Sequence, residues 1–203
     1  MHDIWQQILT AWHAQTTLEV IAVLSAIAYL ILAIKEHIWC WFFATVSTAV
    51  SIYLFHAVML FSEALLNVFY LIMAVIGWSQ WRTGHNHKPQ QIQKWPWRKQ
   101  LPWLALTITC VPLLGFYMQT QNAAFPYLDA LTSCFAVFTT FLVVYKVFEN
   151  WYYWLIIDSL SVYLYWQKGL YLFAALFILY LVLVVIGIQQ WSRKYQQQVI
   201  VNH

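Results

Sequence analysis

Residues 150–166 read NWYYWLIIDSLSVYLYW, and this apolar, aromatic run holds a carboxylate, Asp158, near its middle. Trp151, Trp154, Asp158 and Ser161 recur at steps of three and four, so they share one face of a helix. At the centre of a membrane helix an Asp costs about 2.5–3.5 kcal/mol. A polar neighbour or a ligand must offset that cost. A second run, 60–81, carries Asn67, Tyr70, Ala74, Gly77, Trp78 and Trp81 on one face in the same way. A carboxylate, a carboxamide and a phenol at the middle of two spans cannot all face lipid. They are expected to converge on the interior.

Each group also has a purely structural use. Asp158 can be held neutral, bonded across helices to Ser161 or Thr48. Asn67 can join helices. Trp78, Trp81, Trp151 and Trp191 lie near span ends, where aromatic belts are normal, and Gly77 and Gly187 suit close helix packing. His85 and His87 lack a third metal ligand, so no metal is expected. The chain has no phosphate-binding glycine loop, no HExxH, no GxSxG and no close Cys pair, and no cofactor is expected. Span 170–191 has no lysine that would anchor a retinal.

The elements that position these residues follow from composition. Of the 203 residues 63% are hydrophobic and 8% charged, and the mean hydropathy is +0.63. A soluble domain carries about 25% charged residues, so a polytopic membrane protein is the reading. Nothing points to nucleic acid. Cys40, Cys110 and Cys134 read as small buried hydrophobes. Residues 1–15 have no basic signal-peptide start, and 2–14 read as a short interfacial helix. Seven segments reach the roughly 20 apolar residues a span needs: 17–35, 38–56, 60–81, 102–119, 127–146, 150–167 and 170–191. Between the third and fourth lies a polar, basic loop, 82–100. With seven spans, Lys35, Arg82, Lys88, Lys94, Arg98, Lys99, Lys146, Arg193 and Lys194 fall on the C-terminal side and only Lys168 on the other. That bias puts the N-terminus outside and the tail, 192–203, in the cytoplasm.

Shifted by 110 residues, 17–82 matches 127–192 without a gap. Trp41, Ser51, Tyr53, Tyr70, Gly77, Gln80 and Trp81 recur as Trp151, Ser161, Tyr163, Tyr180, Gly187, Gln190 and Trp191. The expected fold is all-α, one transmembrane domain over 1–191. It has two parallel three-helix repeats joined by a linking helix, 3+1+3, as in SWEET-type carriers. Such duplication places a substrate site between the halves. The symmetry breaks at Thr48 against Asp158, Glu63 against Phe173 and Asn67 against Phe177. Asymmetric polar groups at matching depth suit an asymmetric ligand.

Asn67-x-x-Tyr70-x6-Gly77-x3-Trp81, with Trp151-x-x-Trp154-x3-Asp158 and the run 169–191, resembles the PnuC family of bacterial nicotinamide riboside transporters. The resemblance covers 17–192. It implies a transporter, not an enzyme, that imports the riboside by facilitated diffusion across the inner membrane. A cytoplasmic kinase would then trap the riboside for NAD synthesis. The expected substrate-binding residues are Thr48, Asn67, Tyr70, Trp78, Trp81, Trp151, Trp154, Asp158 and Ser161. The indole and phenol faces suit a pyridinium cation. Asn67 suits the carboxamide, and Asp158 the ribose hydroxyls or the charge. A carrier of another vitamin such as thiamine, or a membrane enzyme or receptor using Asp158, are the alternatives. Besides substrate and lipid no partner is implied, and the oligomeric state, homo-oligomer or monomer, is left open.

Overall fold

In the computed structural model, which describes residues 6, 10, 15–57, 61–83 and 90–201, the chain is all helical. Among the described residues seven helices can be followed in order: α1 Thr17–Ile34, α2 Cys40–Ala57, α3 Phe61–Thr83, α4 Trp97–Thr120, α5 Pro126–Val144, α6 Asn150–Gln167 and α7 Tyr171–Val201. Among the described residues there is no strand, only a single bridge between Gln93 and Val147. Most of the segment 2–14, and both His85 and His87, lie outside the described residues.

Local chemistry sets the helix ends. Thr16 and Glu19 form a reciprocal cap at α1, with Glu19 N donating to Thr16 Oγ1 at 3.3 Å and Thr16 N donating to Glu19 Oε2 at 2.6 Å. Pro126 starts α5, a position where its missing N–H costs nothing. The α1–α2 and α5–α6 turns each pass through one left-handed residue, Glu36 (φ 56°) and Lys146 (φ 49°). The α4 helix begins at Trp97, five residues earlier than the apolar run starts, so Arg98 and Lys99 are helical rather than loop. The helix α7 continues to Val201, so the expected tail extends the last span as helix.

Among the described residues six helices are long and apolar enough to cross a bilayer; α6 is the less apolar one. Its polar groups explain the difference. Asn150, Asp158 and Ser161 are all buried, and α6 packs between α5 and α7. The outward faces are apolar, with Leu24, Leu65, Leu113 and Phe116 all exposed, as lipid contact requires. Cys110 lies on such a face of α4 and is exposed, contrary to the expectation of three buried cysteines; Cys40 is buried and Cys134 intermediate.

Helices α1–α3 pack in sequence, as do α5–α7, and α4 packs on α5. The two groups meet where α3 packs on α5 and α7 on α1. Within each group a tryptophan lies across a glycine. A Cβ on Gly77 would overlap the ring of Trp41, and one on Gly187 the ring of Trp151. Trp41 meets Trp81 edge-on at 5.3 Å, and Trp151 meets Trp191 edge-on at 5.4 Å. These contacts form the core at one end of the molecule.

Candidate functional site

A cavity of about 360 Å³ lies between the two helix groups, walled by all helices except α4. Thr48 of α2, Asn67 and Tyr70 of α3, and Trp151, Trp154, Asp158 and Ser161 of α6 line it. Helical spacing along α3 and α6, set out above, delivers these side chains to a common space.

Asp158 is 3% exposed, and among the described residues no donor reaches its carboxyl group. The bond to Ser161 or Thr48 that sequence offered as its structural use is not made. Thr48 Oγ1 donates instead to Ala44 O of its own helix at 2.8 Å. Asn67 is also turned to its own helix, with Nδ2 donating to Glu63 O at 2.9 Å. That bond leaves the amide oxygen and the second N–H uncommitted. Asn67 is therefore held in place, and both it and Asp158 keep binding capacity at the cavity wall.

Aromatic rings form the walls. Tyr165 stacks on Phe177 at 5.2 Å and 23°, and Phe177 meets Tyr180 at 5.5 Å and 72°. Tyr70 packs against Phe69 and Tyr29 against Trp41. Toward the Trp41 and Trp151 end the cavity stops at Ala33 and Val143. Toward the other it reaches Glu63 and Asp129, in the first turns of α3 and α5. Asp129 is engaged by Lys168 Nζ, 2.9 Å from each carboxylate oxygen. Among the described residues no Lys, Arg or His lines the cavity.

Two expected binding residues are elsewhere. Trp81 does not line the cavity. Its ring packs on Trp41, and its Nε1 donates to Val144 O at 3.1 Å. Trp78 does not line it either, and packs edge-on against Trp39 at 5.7 Å. Both lie too far along α3: from Asn67 to Trp81 is 14 residues, or about 21 Å of helix, longer than one small ligand.

Sequence reasoning passed over other wall residues. Asn150 is fully buried at the cavity's closed end, with Nδ2 donating to Val147 O at 2.6 Å. Its counterpart at the 110-residue offset is Cys40, so the same asymmetry that marks Asn67 would have marked it. Tyr29 and Tyr165 carried no comparable signal. Glu63 and Asp129 border the cavity as well. No group of three or more His, Cys, Asp or Glu suited to a metal occurs among the described residues.

A family described as "Nicotinamide mononucleotide transporter" matches residues 16–193. The nicotinamide riboside transporter PnuC of Escherichia coli (strain K12) is 23% identical over 208 residues, covering 89% of this chain and 87% of that protein. The same protein of Shigella flexneri matches equally. The crystal structure of the vitamin B3 transporter PnuC superposes with a TM-score of 0.72 at 19% identity, covering 95% of this chain and 87% of that one. This likeness extends the all-helical fold over nearly the whole chain.

Proposed function

Because the chain belongs to the nicotinamide mononucleotide transporter family, we propose that this membrane transporter carries nicotinamide riboside, the unphosphorylated substrate, through the cavity between its two helix groups. The carrying observation is the cavity's charge. Asp158, Glu63 and Asp129 border it, and among the described residues no cationic side chain lines it, Lys168 being paired with Asp129 at the rim. A phosphorylated substrate would bring negative charge against carboxylates with nothing to bind it. The riboside is a cation with an aromatic ring. A ring of that kind among Trp and Tyr faces gains about 2 kcal/mol or more when desolvated. Asn67 offers the donor and acceptor a carboxamide needs. Asp158 takes the ribose hydroxyls or balances the pyridinium charge, which offsets the cost of burying it. Thiamine is likewise an aromatic cation, so a thiamine carrier is the second reading on the same grounds.

The proposed mechanism is uniport by alternating access, with two duplicated bundles rocking about the site and phosphorylation in the cytoplasm trapping the product. Several matched contacts support the duplication. Trp81 donates to Val144 O and Trp191 Nε1 donates to Ile34 O at 3.2 Å, and Ile34 and Val144 are 110 residues apart. Glu36 and Lys146 share that offset and the left-handed turn. The Lys and Arg bias supports a multi-pass protein of the inner membrane with the Glu36 end in the cytoplasm.

The test is uptake of labelled nicotinamide riboside into liposomes containing the purified protein alone, with and without a proton gradient. Uptake to equal concentrations under both conditions is expected. Accumulation only with a gradient would contradict uniport, and uptake of thiamine in place of the riboside would favour the second reading.

A further inference from the structure

Glu36, in the α1–α2 turn, is gripped by two lysines from the other helix group. Lys146 Nζ lies 3.0 Å from Oε2 and Lys194 Nζ lies 3.0 Å from Oε1. The Glu36 and Lys146 side chains are 12% and 9% exposed, while Lys194 is 40% exposed. Lys194 also donates to Lys35 O at 3.1 Å, and Lys146 lies over the ring of Trp81, 4.5 Å from its centre. Beside this triad the two indole bonds, Trp81 to Val144 O and Trp191 to Ala33 and Ile34 O, cross between the same groups. The cavity reaches Ala33 but ends short of Glu36, Lys146, Lys194, Trp81 and Trp191.

From this geometry we infer that the Glu36–Lys146–Lys194 ion-pair cluster is the latch of a gate that closes the cavity at this end. The inference rests on the alternating-access reading above. An ion pair suits a latch on physical grounds. Buried charges lose hydration, and their attraction in the dry closed state roughly makes up that loss. On opening, water restores the hydration of both partners. The closed and open states then lie close in free energy, as a carrier must have them. The indole bonds behave alike, since water replaces the carbonyl acceptor. An apolar seal would instead favour closure at every stage.

The latch is also reinforced on one side. Gln93 N donates to Lys146 O at 3.0 Å, Phe148 N donates to Gln93 O at 2.8 Å, and Gln93 Nε2 donates to Tyr145 O at 2.7 Å. These bonds brace the α5–α6 turn that presents Lys146. Opening therefore moves Glu36 and the α1–α2 turn away from a fixed lysine.

Cys40 reports on this directly. It is 0% exposed, opens α2 four residues after Glu36, and does not line the cavity. In a background with Cys110→Ser and Cys134→Ser, Cys40 is the one thiol, and its modification by a charged, membrane-impermeant methanethiosulfonate in nanodiscs measures opening. Glu36→Gln should speed modification about tenfold, the factor that about 1.4 kcal/mol of lost closing energy gives. Lys194→Gln, which keeps the Lys146 pair, should give a smaller increase, and it serves as the second variant should Glu36→Gln melt early. Adding Lys146→Gln to Glu36→Gln should bring little further increase. Modification at the wild-type rate in both single variants, with unchanged melting temperature, would overturn the latch. So would wild-type uptake with Cys40 protected throughout. Failure to bind riboside would defeat the proposed substrate while leaving the contrast in Cys40 modification intact.

Discussion

The indole N–H of Trp81 donates to the backbone carbonyl of Val144 at 3.1 Å, joining α3 to α5. Its ring is 7% exposed and lies outside the cavity. Trp81→Phe keeps most of the packing but leaves a buried carbonyl without its donor, at a cost of about 1–3 kcal/mol. A lower melting temperature with little change in riboside affinity is expected. Riboside binding lost at unchanged stability, measured by calorimetry beside the melt, would return Trp81 to the binding site.

Asn67 stands where the second helix group has Phe177, so this position tolerates an apolar residue. Asn67→Leu should leave the fold intact and weaken riboside binding by about 1–3 kcal/mol through the lost carboxamide bonds. Unchanged affinity in calorimetry would reduce Asn67 to a helix-packing residue.

Asp158 makes no hydrogen bond among the described residues, so removing its charge breaks no hydrogen bond there. Asp158→Asn should melt no lower than the wild type. Its riboside affinity should fall by about 2 kcal/mol or more, as for a buried charge deprived of its partner. Titrations from pH 5 to 8 check this. Wild-type affinity in the variant at every pH would contradict charge pairing. Intact binding with loss of gradient-driven accumulation would identify Asp158 as a proton carrier instead.

Reporters fused at the two ends test orientation. One after His203 should score cytoplasmic and one at His2 external. Both on one side would contradict the seven-span topology and the parallel duplication with it.

The spans were legible because lipid leaves few alternatives: a long apolar run must pair its own backbone. The ends were less so. Pro102 read as a boundary, yet α4 starts at Trp97, because Pro96 before it already sets the chain up for a helix. Asp158, Asn67 and Tyr70 were legible as cavity residues from depth and helical face. Trp81 shares their face but not their cavity, since a face runs the length of the helix and a site does not. Asn150 was hidden by its place at a helix end, where a polar residue normally meets water. Here the turn folds it inward, to a fully buried position.

The most direct measurement is a pair of calorimetric titrations of the purified protein, one with nicotinamide riboside and one with nicotinamide mononucleotide. A cavity bordered by carboxylates and aromatic rings, with no cation lining it among the described residues, should bind the riboside and hold the phosphorylated compound weaker by a factor of about 100, or roughly 2.7 kcal/mol. Equal or tighter binding of the mononucleotide would contradict the charge-based assignment of the site.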